Sequence, residues 1–262
     1  MGFYHRPLSG LLSRGADERG FAMRKWFWLG LCCIGSLCRA EPAINLYTVD
    51  YPPFVIREGA DHTPHGIAVE LLAQALARSG MRAQYVDLPW KRAQMQVQAE
   101  GNGCLLPLTR SPKREDTYRW VGLIDESSQS LFVAAGSKLQ LRGVADLKGL
   151  RVVTLLGSSM ADWLRQHQVA FSELPTTEDA YRELSSGVAE VWAVHSLVAR
   201  YMVKKQGSGG VPIREALKLQ STGIYLACSR NMPEDVAQKL GAALKQLRDE
   251  GASARIVARY LD

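Results

Sequence analysis

Segments with a strand pattern alternate with segments with a helix pattern, and this alternation constrains the fold more than any other feature of the sequence. Strand patterns lie at 44–49, 83–88, 104–108, 131–135, 150–156, 188–194 and 224–228. Helix patterns lie at 66–80, 90–99, 160–168, 177–185, 234–249 and 253–261. Strands separated by helices predict βαβ units and mostly parallel sheets.

The alternating series occurs twice, and the segments 131–135 and 224–228 lie between the two occurrences. We therefore predict an α/β fold with two lobes, each a mostly parallel sheet flanked by helices, joined by two crossing strands. Lobe 1 comprises 41–131 plus 225–262, and lobe 2 comprises 132–224. The chain of 262 residues, 47% of them hydrophobic, is long enough to give each lobe its own core. A ligand is expected in the cleft between the lobes, at the carboxyl ends of the strands.

Residues 1–40 have the pattern of an N-terminal extension with a secretory signal peptide. Positive charge at Arg24 and Lys25 is followed by an apolar run at 26–37, and small residues precede a cleavage site after Ala40. The biological start is then Met23, and the mature protein is periplasmic. The alternative is an uncleaved anchor, but the apolar run is shorter than the roughly 20 residues that span a bilayer.

The charge of the chain is concentrated near its start. The net charge is +6, yet the residues after position 40 contain 26 basic and 24 acidic side chains. A nearly balanced chain lacks the concentrated basic surface that binds nucleic acid, so that class of partner is excluded.

Two of the five cysteines, Cys104 and Cys228, lie beyond the signal segment. Both lie within apolar strand patterns, and two cysteines are too few for a disulfide framework or a metal cluster. We expect two buried free thiols. A single disulfide is the alternative, if the two strands are neighbours in an oxidising compartment.

Several short motifs resemble, in the right order, those of the bacterial extracellular solute-binding proteins of family 3. They are YPPF at 51–54, GIAVELL at 66–72, TRSPKRE at 109–115, YRWV at 118–121, ADLKGLRVV at 145–153 and GSS at 157–159. The resemblance covers essentially the whole chain after residue 40. LPWKRA at 88–93 and the TRSPKRE run resemble a branch of the family whose members often lack a defined ligand.

The resemblance implies a type 2 periplasmic binding fold whose lobes close on a small solute. The function implied is capture of a carboxylate-bearing solute, an amino acid or a related organic acid, for the permease of an ABC transporter. A monomer without a cofactor is implied. The alternatives are a periplasmic protein that senses its ligand and feeds a membrane sensor, or a lyase-type enzyme on the same fold.

Arg114 and Thr109 follow an apolar strand and are predicted to face the cleft. A guanidinium offers two parallel donors that match a carboxylate, and the resemblance implies that Arg114 grips the carboxylate of the ligand. Thr109 adds a hydroxyl donor at the end of the strand. The alternatives are a solvated arginine and a turn-capping threonine.

Ser158 and Ser159 precede a helix, where free backbone N–H groups and two hydroxyls suit an anion. Ser158 is also a good N-cap. The resemblance places Tyr51 and Trp90 where side chains enclose the ligand, although isolated aromatic residues are more often part of a core. We assign no ligand contact to Trp120 or Trp192.

His195 is the main departure from the family pattern. The resemblance leads us to expect at this position an Asp that pairs with the ammonium of the ligand, and a histidine cannot supply that negative charge. Either another acid does so, with Glu70, Glu126 and Glu190 as candidates, or the ligand lacks the amino group. A structural histidine is the alternative.

No catalytic residue or metal site is assigned. The five histidines (5, 62, 65, 167 and 195) are scattered, and no nucleophile–base order or metal-ligand spacing is present in the sequence. A pairing of His195 with Glu70 or Glu126 could serve an enzyme as acid and base, but nothing in the sequence shows that pairing.

Overall fold

Two long antiparallel strands, β4 (Arg119–Ala134) and β8 (Ile213–Cys228), run through the centre of the molecule. The computed structural model describes residues 43–58 and 63–262. Strands β4 and β8 pair from one end to the other and belong to an eight-stranded sheet of order β2-β1-β3-β8-β4-β7-β5-β6. Three further strands continue the sheet beside one end of β8, and three continue it beside β4 at the opposite end of this strand pair. The two strands therefore cross between two α/β lobes.

The first lobe contains three parallel-paired strands and four helices. The elements are β1 (Ala43–Thr48), α1 (Ile67–Ser79), β2 (Arg82–Val86), α2 (Trp90–Ala99), β3 (Gly103–Thr109), α6 (Glu234–Asp249) and α7 (Ala252–Leu261). Strand β1 pairs in parallel with both β2 and β3, and β3 pairs antiparallel with β8. Helix α1 buries one apolar face and ends at Gly80, whose left-handed backbone (φ 64°) closes the helix.

The second lobe has the same organisation. Its elements are β5 (Val152–Leu155), α3 (Ser159–Gln166), β6 (Ser172–Leu174), α4 (Thr177–Ser185), β7 (Val191–His195) and α5 (Ser196–Gln206). Strand β5 pairs in parallel with β6 and β7, and β7 pairs antiparallel with β4. Helices α3 and α4 begin at the N-caps Ser158 and Thr176, whose side chains accept hydrogen bonds from backbone N–H groups three residues later.

The fold class is confirmed, with corrections to individual elements. The crossing strands are 16 residues long, whereas we predicted only 131–135 and 224–228. Their remaining residues are largely polar and half-buried, so they lack an apolar strand pattern. Strand β6 and helix α5 were not predicted. The segment after α5 includes a short 3-10 turn at Gly207–Gly209.

The expectation of two free thiols is wrong. Cys104 of β3 lies opposite Cys228 of β8 in the antiparallel register, and the two form a disulfide across 124 positions of the chain. Both residues are fully buried. The sequence could not decide this, because it does not say which strands are neighbours.

The proposed signal peptide, its start at Met23 and its cleavage after Ala40 lie outside the described residues. Within 43–58 and 63–262, none of the helices combines the length and the apolar character needed to cross a bilayer.

Candidate functional site

All seven predicted site residues line one narrow cleft between the lobes, with a free volume of about 20 Å³. The predicted residues are Tyr51, Trp90, Thr109, Arg114, Ser158, Ser159 and His195, and the remaining lining consists of Val49, Pro107, Leu108 and Leu155. This volume holds little more than one water molecule. Side chains of the two lobes therefore face one another almost in contact.

The first lobe supplies its residues from strand ends and from the starts of helical turns. Tyr51 follows β1 and pairs with Val55 across the tight turn that contains two prolines. Thr109 is the last residue of β3, and Trp90 is the first residue of α2. Arg114 ends the short turn Pro112–Arg114 just after β3. The carboxyl ends of neighbouring strands thus bring together residues that are far apart in sequence.

The second lobe supplies Ser158, Ser159 and His195 in the same way. Ser158 and Ser159 lie where β5 turns into α3, and His195 is the last residue of β7. Gly157 makes the turn possible, because its φ of +69° is disfavoured for other residues and its Cα approaches the side chains of α2 closely. The start of α3 is thereby brought against the first lobe.

His195 is buried and bonded at both ring nitrogens. Its Nδ1 lies 2.7 Å from the hydroxyl of Tyr51, and its Nε2 lies 3.2 Å from Thr222 Oγ1 and 3.5 Å from Thr109 Oγ1. Burial, with a smaller contribution from the charge of Arg114, lowers the pKa of His195 to about 4. Burial also raises the pKa of Tyr51, and a hydrogen bond with the backbone of His195 lowers it by a smaller amount. The ring is therefore neutral at pH 7.

Arg114 connects the two lobes and is only 7% exposed. Its Nη2 donates to the carbonyl oxygen of Gly157 at 3.2 Å and to Asp162 Oδ2 at 3.0 Å. Asp162 also accepts a hydrogen bond from Lys113 at 2.6 Å and lies 3.7 Å from Arg165. Sequence reasoning missed Asp162. Its position in the first turn of α3, three residues after Ser159, is the only signal that could have indicated it.

The two serines have different hydrogen-bond partners. The hydroxyl oxygen of Ser158 caps α3 by accepting from the N–H of Ala161, and it lies 3.3 Å from Thr154 Oγ1. The hydroxyl oxygen of Ser159 accepts from Gln129 Nε2 at 2.8 Å, and Gln129 accepts from Gln220 at 2.7 Å. Gln129 and Gln220 lie on the crossing strands, in the polar stretches that gave no strand signal.

The three acids proposed to replace the missing Asp do not line the cleft. Glu70 pairs with Arg259 and Tyr260 of α7, and Glu190 pairs with Arg151. Glu126 is exposed on β4. The pairing of His195 with Glu70 or Glu126 that an enzyme would need is therefore not formed.

Trp120 and Trp192, to which we assign no ligand contact, do not line the cleft. Trp192 is 1% exposed and packs edge-on against Tyr181 in the core of the second lobe. Trp120 packs edge-on against Tyr118 and Tyr225, and the guanidinium of Arg110 lies 5.6 Å from its ring centre.

A larger cavity of about 620 Å³ adjoins the cleft at Ser159. It lies between the loop after β3, the crossing strands and α3, and it is lined by Arg110, Ser111, Pro112, Lys113, Gln129, Ser159, Asp162, Trp163, Arg165, Gln166, Gln220 and Thr222. The narrow cleft and this wider space share one edge, so a solute reaching the cleft has room beside it.

Known proteins resemble this chain both in sequence pattern and in fold. The family model described as "Bacterial extracellular solute-binding proteins, family 3" matches residues 45–262. A search of curated proteins returned no match.

Solved structures share the fold. A mutant of ArgBP from T. maritima is 18% identical, with a TM-score of 0.72, and the alignment covers 83% of this chain and 94% of that one. A histidine kinase sensor domain with similarity to periplasmic binding proteins is 20% identical, with a TM-score of 0.73 and coverage of 84% and 96%. The ancestral amino acid-binding protein AncCDT-1, a precursor of cyclohexadienyl dehydratase, is 16% identical, with a TM-score of 0.70 and coverage of 84% and 95%.

Proposed function

This chain belongs to the bacterial extracellular solute-binding proteins of family 3, and on that basis we propose that it captures a small carboxylate-bearing solute, an amino acid or a related organic acid, in the periplasm. We propose further that it is a monomer and delivers the solute to the permease of an ABC transporter. The proposed signal peptide within 1–40 would direct the protein to the periplasm. The observation that supports this proposal best is that all seven residues chosen from the sequence, from both lobes, line one cleft.

The chemistry of the cleft supports an anionic group on the ligand. Arg114 provides a guanidinium, and Ser158 and Ser159 mark the start of α3, where backbone N–H groups favour negative charge. Tyr51 and Trp90 provide aromatic surface beside these donors.

Binding requires the lobes to separate and close again. The cleft has room for little more than one water molecule, so we propose that a solute enters it when the two lobes move apart. We assign this motion to the crossing strands β4 and β8, between a lobe of 41–131 plus 225–262 and a lobe of 132–224. Contacts from both lobes to the solute then favour the closed form.

A role in sensing is the second candidate, because a histidine kinase sensor domain shares the fold over most of its length. Transport and sensing use the same cleft and differ in the membrane partner. Catalysis is not supported, because His195 is neutral, bonded at both nitrogens and without an acid beside it.

Calorimetric titration of the Arg114→Gln variant tests the function. Hydrogen bonds to a charged group contribute about 1.5–3 kcal/mol, so we expect the affinity for a carboxylate found by thermal-shift screening to fall about ten- to hundred-fold. The matched control is Arg78→Gln, which removes an arginine paired with Glu250 away from the cleft. Unchanged affinity in Arg114→Gln would refute the proposal.

A further inference from the structure

The described residues that line the cleft include no carboxylate. The nearest acids are engaged elsewhere. Asp162 accepts from Arg114 and Lys113 and lies outside the cleft lining. Asp50 accepts from the backbone N–H of Arg57, and Glu173 accepts from the N–H of Gly157 and from Arg165. A ligand ammonium in this cleft would find no carboxylate among the described lining residues, and Asp162, beside the cleft, is already paired with Arg114 and Lys113.

The hydrogen bonds of His195 also leave no free lone pair on its ring. The hydroxyl of Tyr51 lies 2.7 Å from Nδ1, and we assign it as the donor, which places the ring hydrogen on Nε2. Nε2 then donates to Thr222, whose own hydroxyl donates to the carbonyl oxygen of Ser127. Neither ring nitrogen can therefore accept a hydrogen bond from an ammonium. Nδ1 already accepts from Tyr51, and Nε2 carries the ring hydrogen.

Two hydroxyls retain hydrogens that can point into the cleft. Thr109 Oγ1 lies 3.5 Å from His195 Nε2, and Ser159 Oγ accepts from Gln129 at 2.8 Å. The Thr109 oxygen faces His195 Nε2 and the Ser159 oxygen faces Gln129 Nε2, and both nitrogens are donors in this arrangement. Within the described part of the chain, neither hydroxyl hydrogen is then used in a hydrogen bond. Thr109 and Ser159 are 9% and 6% exposed. Together with Arg114, they give the polar side of the cleft three donor side chains, with no negative charge among the described lining residues.

A donor set of this kind discriminates between ligands by charge. A carboxylate and a neighbouring carbonyl or hydroxyl oxygen accept from it, whereas an ammonium would lose its hydration beside a guanidinium and gain no counter-charge. We propose that the ligand is a 2-oxo or 2-hydroxy acid and that the site rejects the amino acid with the same carbon skeleton. This inference rests on the proposed function, because it names the ligand class of the same cleft.

The experiment compares matched ligands by calorimetry on the chain without its signal segment. The probes are pyruvate, L-lactate and L-alanine, and then 2-oxoglutarate, 2-hydroxyglutarate and L-glutamate. We expect the oxo or hydroxy member of at least one series to bind at least about ten-fold more tightly than the amino acid of that series.

Two variants locate the preference at His195. His195→Asp places a carboxylate beside the cleft, and we expect the ratio of oxo-acid to amino-acid affinity to fall at least about ten-fold. The control is His167→Asp, which adds a carboxylate at an exposed position at the end of α3, outside the cleft lining, and is expected to keep the wild-type preference. The wild-type comparison stands by itself if either variant fails to fold.

The outcomes separate this inference from the proposed function. If the amino acids bind more tightly and Arg114→Gln abolishes that binding, the inference is wrong and the proposed function stands, with the aromatic faces of Tyr51 and Trp90 holding the ammonium. If none of the six probes binds, the inference is wrong, and the thermal-shift screen of other carboxylates decides the proposed function. If Arg114→Gln leaves binding unchanged, the proposed function fails and the inference fails with it.

Discussion

Arg114 in one lobe donates a hydrogen bond at 3.0 Å to Asp162 in the other. The guanidinium that we propose for the carboxylate of the solute is therefore already paired with a carboxylate of the chain. The pair is partly shielded from solvent, since the side chains of Arg114 and Asp162 are 9% and 19% exposed. A solute carboxylate that binds Arg114 therefore shares the positive charge of the guanidinium with Asp162.

Replacing Asp162 by Asn is expected to strengthen carboxylate binding. The substitution removes the competing charge, and partly exposed ion pairs of this kind contribute about 1 kcal/mol, which corresponds to a gain of about five-fold in affinity. Calorimetry with a carboxylate ligand measures the gain. Small-angle scattering of the protein without ligand should show a larger radius of gyration, because a contact between the lobes is lost.

The control for this variant is Asp249→Asn. Asp249 forms an exposed ion pair with Lys245 on α6, four residues earlier in the chain and away from the cleft. The control should leave affinity and radius unchanged. Weaker binding in Asp162→Asn would mean that Asp162 supports the bound form instead of competing with the ligand.

The buried neutral His195 makes stability depend on pH. Its pKa is about 4 in the folded protein against 6.5 for the free side chain, because burial disfavours the charged ring. Between these values the unfolded chain binds a proton that the folded chain does not. The contribution to the free energy of unfolding is thus fully present above pH 6.5 and is lost as the pH falls toward 4.

Urea unfolding at pH 7 and pH 5 measures this effect. We expect the wild type to lose about 2 kcal/mol more between these pH values than the His195→Gln variant. His167→Gln, which replaces an exposed histidine at the end of α3, should keep the wild-type dependence. Equal pH dependence in wild type and His195→Gln would show that folding does not lower the pKa of His195.

Local sequence signals were sufficient for several elements. The bounds of α2, α4 and α6 agree with the predicted ranges 90–99, 177–185 and 234–249. These helices have an apolar face and clear end signals, so they can be recognised without knowledge of their neighbours. Helix α5 was missed because it follows His195 directly, with no turn residue to separate it from β7.

Long-range pairings were beyond the reach of the sequence. Arg114 could be selected from its motif, but its partner Asp162 lies 48 positions away and belongs to the other lobe. Gln129 and Gln220 were missed for a related reason, since they lie in polar parts of strands that are stabilised by pairing with each other. The same limitation applies to Cys104 and Cys228, whose partnership depends on strand order.

The disulfide between Cys104 and Cys228 joins β3 to the end of β8. It connects the two chain segments that together form the first lobe, one before and one after the second lobe. A cross-link across 124 positions removes much conformational freedom from the unfolded chain. In the chain-entropy description, a loop of about 100 residues corresponds to about 4.7 kcal/mol, although native disulfides more often contribute about 2–5 kcal/mol.

Removing the disulfide is expected to lower the free energy of unfolding by about 2–4 kcal/mol. Urea unfolding of the wild type, equilibrated with and without reductant, measures this difference, and the reductant acts on the buried bond when the chain unfolds. The Cys104→Ala/Cys228→Ala variant is the control for the chemistry, because its midpoint should be low in both conditions and insensitive to reductant. If reductant leaves the wild-type midpoint unchanged, the two cysteines stabilise the protein as buried side chains and not as a cross-link.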